Sequence, residues 1–82
     1  MKAEYKQIRY GQDRPYGDSY AVYEIITDCQ DRDEVIKFCK EVIMKGRDIY
    51  DRYNRPDSFS SYYELAKTNS GWQFTMVYPY DD

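Results

Sequence analysis

Tyr20-Ala21-Val22-Tyr23-Glu24-Ile25-Ile26-Thr27, followed by Asp31-Arg32-Asp33-Glu34-Val35-Ile36, decides the fold, because the apolar period changes between the two stretches. The first is dense in β-branched and aromatic residues and reads as a strand, with Tyr20, Val22, Glu24 and Ile26 on one face and Ala21, Tyr23, Ile25 and Thr27 on the other. Glu24 marks the first set as the wetter face. The second stretch opens with the spacing of a capping box, Asp31 to Glu34, and places carboxylates where the positive end of a helix dipole lies. Apolar positions Val35, Cys39, Val42, Gly46, Ile49 and Tyr53 then recur at steps of four and three, with Ile36, Ile43 and Tyr50 widening the stripe. Gly46 after Met44-Lys45 has the chemistry of a C-cap, but the periodicity continues in phase through Tyr53, so one long amphipathic helix with Gly46 inside it, as a kink, is the preferred expectation, and Asn54-Arg55-Pro56 stops it.

Outward from this pair, Glu4-Tyr5-Lys6-Gln7-Ile8-Arg9-Tyr10 alternates imperfectly and reads as a first strand. Gly11 to Asp18, with Pro15 and two glycines, joins it to the second as a long hairpin loop. After the helix and a polar connection over 57–61 come Tyr62-Tyr63-Glu64-Leu65-Ala66-Lys67 and Trp72-Gln73-Phe74-Thr75-Met76-Val77-Tyr78. These form a second hairpin about Thr68-Asn69-Ser70-Gly71, and Pro79 ends the last strand. The expected fold is therefore α+β of order ββαββ, a single domain over 1–82. A four-stranded antiparallel sheet carries one long amphipathic helix on one face, and nothing in the chain covers the other.

Composition narrows the chemistry. Ile, Val and Leu number 11 among 82 residues, too few for more than one small core. The chain has no histidine, so Ser-His-Asp triads, Cys-His pairs and His-ligated zinc are excluded, and a non-enzymatic role is expected. Cys29 and Cys39 stand too far apart for a zinc knuckle or a redox pair and read as two reduced thiols. Asp28, Asp31, Asp33 and Glu34 are interrupted by Arg32 and lack the glycine of a calcium loop, so helix capping accounts for them and no metal or other cofactor is expected. With no run of 18 apolar residues and no apolar leader after Met1-Lys2, a cytoplasmic location without membrane contact is expected.

Twelve Lys and Arg against fifteen Asp and Glu leave a charge of −3, and eleven tyrosines exceed what so small a core can bury with every hydroxyl paired. Exposed tyrosines supply large contact area at low entropic cost, which points to protein recognition. The candidate partner-binding residues are Asp13, Arg14, Tyr16 and Asp18 of the long loop, with Tyr62 and Tyr80. A second reading is a nucleic-acid surface built from Arg9, Arg14, Arg52 and Arg55, with stacking by the interleaved Tyr10, Tyr16 and Tyr53, opposed by the aspartates that adjoin those arginines. A third is a homodimer that covers the open sheet face. In size, acidity and tyrosine content the chain resembles small acidic proteins of phages and mobile elements. Some of these, anti-CRISPR proteins among them, inhibit nucleases by presenting carboxylates and aromatic rings where nucleic acid would bind. That resemblance implies a nucleic-acid-processing enzyme as the partner.

Overall fold

A computed structural model describes residues 1–13 and 18–79, with only the backbone of Gln12 and Asp13. The strands are β1 (Glu4–Asp13), β2 (Asp18–Ile26), β3 (Tyr50–Asp51), β4 (Tyr62–Thr68) and β5 (Gly71–Tyr78), and they form one sheet in the order β1-β2-β5-β4-β3. Helix α1 (Arg32–Cys39) continues as a π-helical turn over Lys40–Met44. The α+β class holds, but the sheet has five strands and is mixed, because β3 pairs parallel to β4 while the other neighbours are antiparallel.

The expected long helix is corrected. It stops at Met44, where Lys45 and Gly46 both take positive φ, 52° and 79°, and reverse the chain. Two successive left-handed residues close a helix, and glycine takes that conformation without a Cβ clash. The Lys45 amide bonds back to the Lys40 carbonyl, and Arg47 donates from Nε to the Met44 carbonyl and from Nη2 to that of Ile43, which satisfies the orphan carbonyls of the last turn. The in-phase residues beyond serve other ends: Ile49 is buried in extended chain, Tyr50 opens β3 and Tyr53 lies on a loop. At the other end Asp31 is the N-cap, its carboxylate accepting from the Asp33 amide at 3.0 Å.

Register assigns the faces. Ala21, Tyr23 and Ile25 of β2 stand opposite Met76, Phe74 and Trp72 of β5, and Phe74 stands opposite Leu65 of β4. Against this face pack Val35, Ile36, Cys39, Ile43 and Met44 from the helix, with Ile49 and Tyr63 completing the core. Burying Phe74 completely contributes about 1.5–3 kcal/mol. The core is extended at its margin by polar ties: the Trp72 indole donates to the Cys29 carbonyl at 2.9 Å, and the Thr27 hydroxyl donates to the Lys2 carbonyl at 2.8 Å.

Two details of β1 and β2 depart from expectation. Pairing passes from Gln7 with Tyr23 directly to Arg9 with Val22, so Ile8 is a bulge residue. That bulge is why the alternation over 4–10 is imperfect. The hairpin arms also run on through Gly11 and Gln12 to pair Asp13 with Asp18, so the ends of the long loop expected over Gly11–Asp18 are paired strand, and 14–17 lie outside the described residues. Gly11 sustains the pairing because the Tyr20 ring lies over it; a Cβ there would meet the Tyr20 hydroxyl at 2.6 Å. No helix among the described residues is long and apolar enough to cross a membrane.

Candidate functional site

The opposite face of the sheet carries Tyr20, Val22, Glu24 and Ile26 of β2 in register with Val77, Thr75, Gln73 and Gly71 of β5, as the strand reading required. No helix lies across it. Lys6 and Glu24 pair at 3.8 Å near the β1 edge, and Arg52 donates to Glu64 at 2.6 Å near the other. Val22 is only 6% exposed between its neighbours, whereas Ile26 is open to solvent.

The β3–β4 edge gathers exposed aromatic and arginine side chains. Because β3 and β4 run parallel, the chain must return over residues 52–61, and this crossover has no regular structure. Aspartates hold its backbone at both ends. Asp51 Oδ1 accepts from the Tyr53 amide at 3.0 Å, and Asp57 Oδ1 accepts from the Phe59 amide at 2.9 Å and the Ser60 hydroxyl at 3.0 Å. These bonds stabilise the carboxylate form of Asp57, the Ser60 bond first and the Phe59 bond next, and lower its pKa from the ordinary value. Arg32 of the helix reaches Asp51 Oδ2 at 3.3 Å and ties the loop's start to the body.

On that fixed backbone stand exposed rings. Tyr53 is 86% and Phe59 67% exposed, the two highest values among the exposed large hydrophobic residues described. The Arg52 guanidinium lies 5.8 Å from the Tyr53 ring centroid, and that of Arg55 lies 4.4 Å from the Tyr62 centroid. Both are cation–π distances, and the second is the closer stack. Tyr50, also exposed, continues the patch along β3.

Of the residues proposed from sequence, the structure thus brings Arg52, Arg55 and Tyr62 together. Arg9 is excluded from that group: it faces Val22 on β1, and two strands separate it from β4, a gap of roughly 14 Å at ordinary strand spacing. Asp18 is half-buried at the start of β2 opposite Asp13, whose side chain lies outside the described residues, as do Arg14, Tyr16 and Tyr80. The sequence places Tyr53 both in the helical stripe and beside Arg52 as a stacking ring; Phe59 is the residue that sequence reasoning missed, and the available signal was a lone phenylalanine among Asp57, Ser58, Ser60 and Ser61.

The cysteines are both free thiols, Cys29 half-buried and Cys39 fully buried. Burial pushes the Cys39 thiol up to about 12, which removes it as a nucleophile at neutral pH. Comparison with protein-family models, with curated proteins and with solved structures finds no match.

Proposed function

We propose that the chain is a non-enzymatic protein-binding module whose contact surface is the β3–β4 edge and the crossover over 52–61. The observation that carries this reading is the presentation of Tyr53 and Phe59, 86% and 67% exposed, on a loop whose backbone is already pinned by Asp51 and Asp57. Exposed rings on a rigid loop lose little freedom on binding, so more of their contact area appears as affinity. Tyrosine and arginine are also the residue types that dominate binding hot spots. Charge at this edge favours protein over nucleic acid: Arg52 meets Glu64 and Arg55 lies near Asp57, so among the described residues no uncompensated basic stripe faces outward here. A nucleic-acid-processing enzyme is the partner class we infer from the chain's acidity and size, the aspartates standing where phosphates would.

The test is affinity capture from the native host lysate after nuclease treatment, using the parent chain and a Tyr53→Ser/Phe59→Ser variant. A stoichiometric protein held by the parent and lost by the variant is the expected result, with Glu34→Ala on the helix retaining it. Equal capture by both, or retention of nucleic acid with an affinity that falls steeply as salt rises, would overturn the assignment.

A further inference from the structure

The helix ends so early that it leaves part of its own side of the sheet uncovered, and a second site lies there. Two adjoining cavities of about 310 and 360 Å³ share Tyr23 and Arg47 in their walls. Tyr10, Tyr78 and Gln7 line the first, and Lys45 the second. The chain holds fifteen Asp and Glu side chains and a net charge of −3, yet among the described residues none lining either cavity is acidic and two are cations. The remainder of the wall is tyrosine, the Gln7 amide, Ser19 and apolar side chains.

Arg47 is a fixed feature of this groove. Two of its N–H groups are held by the Ile43 and Met44 carbonyls, and its guanidinium lies 5.9 Å from the Tyr78 ring centroid. The rest of its planar fork remains as a donor set of the kind that suits phosphate or carboxylate oxygens. Tyr10, 62% exposed at the rim, supplies a face on which a planar ring stacks, and Tyr23, which lines both cavities, adds aromatic wall beside it. Each cavity has the size of a small-molecule subsite and not that of a polymer channel.

From this charge complementarity and aromatic lining we propose that the groove between β1, β2 and the Lys45–Arg47 turn binds a small anion carrying an aromatic ring, the chemistry of a nucleoside monophosphate. The phosphate meets Arg47 and Lys45, and the ring meets Tyr10 and Tyr23. This site is separate from the β3–β4 edge, so it stands or falls independently of the protein-binding proposal.

The experiment is an NMR titration of the intact ¹⁵N-labelled chain at low salt with AMP, phenyl phosphate, adenosine and inorganic phosphate. AMP and phenyl phosphate are expected to shift the amides of Gln7, Tyr10, Tyr23 and Arg47, binding roughly tenfold or more tightly than either adenosine or inorganic phosphate. Tyr10→Ala, at an exposed position, weakens AMP at least about fivefold. Lys45→Gly, which keeps the left-handed turn, weakens it about two- to fivefold. Inorganic phosphate binding as well as AMP would show a plain anion site, and adenosine binding as well as AMP a plain apolar cleft; either overturns the proposal. So does the absence of shifts at millimolar AMP, shifts confined to the β3–β4 edge, or an affinity that Tyr10→Ala leaves unchanged.

Discussion

Gly46→Ala distinguishes a helix that ends at Met44 from one that runs on, because the two structures require opposite signs. Gly46 has φ 79°, and a Cβ built there meets nothing within 4 Å, so packing contributes neither gain nor loss. What remains is backbone. Holding an L-residue in the left-handed region costs about 1–2 kcal/mol, and the smaller entropy of the alanine variant's unfolded chain returns about 0.4–1 kcal/mol. The net is a destabilisation of about 0.8 kcal/mol, which for a domain of this size lowers Tm by about 3–6 °C. Within a continuous helix the same change would stabilise by about 0.8–1.0 kcal/mol and raise Tm by a similar interval. Lys45→Gly supplies the mirror experiment: at φ 52° it relieves strain and raises Tm, whereas in a helix interior it would lower it. Thermal and urea unfolding followed by circular dichroism reads both. A rise in Tm for Gly46→Ala together with a fall for Lys45→Gly would refute the early stop and, with it, the groove that depends on it.

Other outcomes follow from single positions. Gly71→Ala, whose Cβ would lie 2.1 Å from the Ile25 carbonyl oxygen at φ 154°, is expected to cost about 3 kcal/mol or more through backbone strain and overpacking, read as a large fall in the urea midpoint. Tyr53→Ser/Phe59→Ser changes unfolding stability by less than about 0.5 kcal/mol, since neither ring is buried, and any larger loss would mean that the loop is structural. With a thiol reagent at pH 8, native protein reacts at Cys29 alone, and Cys39 reacts only after denaturant is added. The lowered pKa of Asp57 means that its contribution to loop order is complete above the ordinary carboxylate pKa and is lost as pH falls through its lower folded value. The Phe59 amide resonance should therefore move with acid below the usual carboxylate range while the sheet amides stay fixed.

Strand positions were legible because their signal is local. The alternation of Trp72, Phe74, Met76 and Tyr78 and the Asn-Ser turn before it need no distant partner to be read, and the open second face followed from Glu24. The helix end was signalled by Gly46 but outweighed, because Ile49 and Tyr53 continue the three-and-four spacing past it by coincidence, whereas the left-handed Lys45 and Gly46, with Arg47's bonds to the last carbonyls, close the helix. β3 was invisible for a related reason. Two residues, Tyr50 and Asp51, carry no period, and their pairing is dictated by where β4 lies. The candidate site was half readable: Arg52, Arg55 and Tyr62 belong to one edge, but their convergence comes from a crossover that no spacing rule announces.

The surplus of tyrosines now divides by physical role. Tyr63 is buried, ring centroid 5.7 Å from that of Phe74, with its hydroxyl pKa raised chiefly by burial. Tyr23 lies between Phe74 and Tyr5 at 6.5 and 6.4 Å, and Tyr5 meets Phe38 edge-on at 6.0 Å, so these rings extend the core outward to a sheet edge that has few aliphatic residues. Tyr20 occupies the space above Gly11 and supports a strand position that glycine alone would weaken. None of these four can leave its neighbours without exposing apolar surface or a gap. Tyr53 and Tyr10 are different, since most of each residue is already exposed to solvent and neither belongs to the core. A chain with only eleven Ile, Val and Leu residues thus uses tyrosine for two purposes, replacing aliphatic packing on one side and providing contact area on the other. Composition cannot separate these uses, because burial is set by the short helix and by the crossover, and both are decided by contacts distant in sequence.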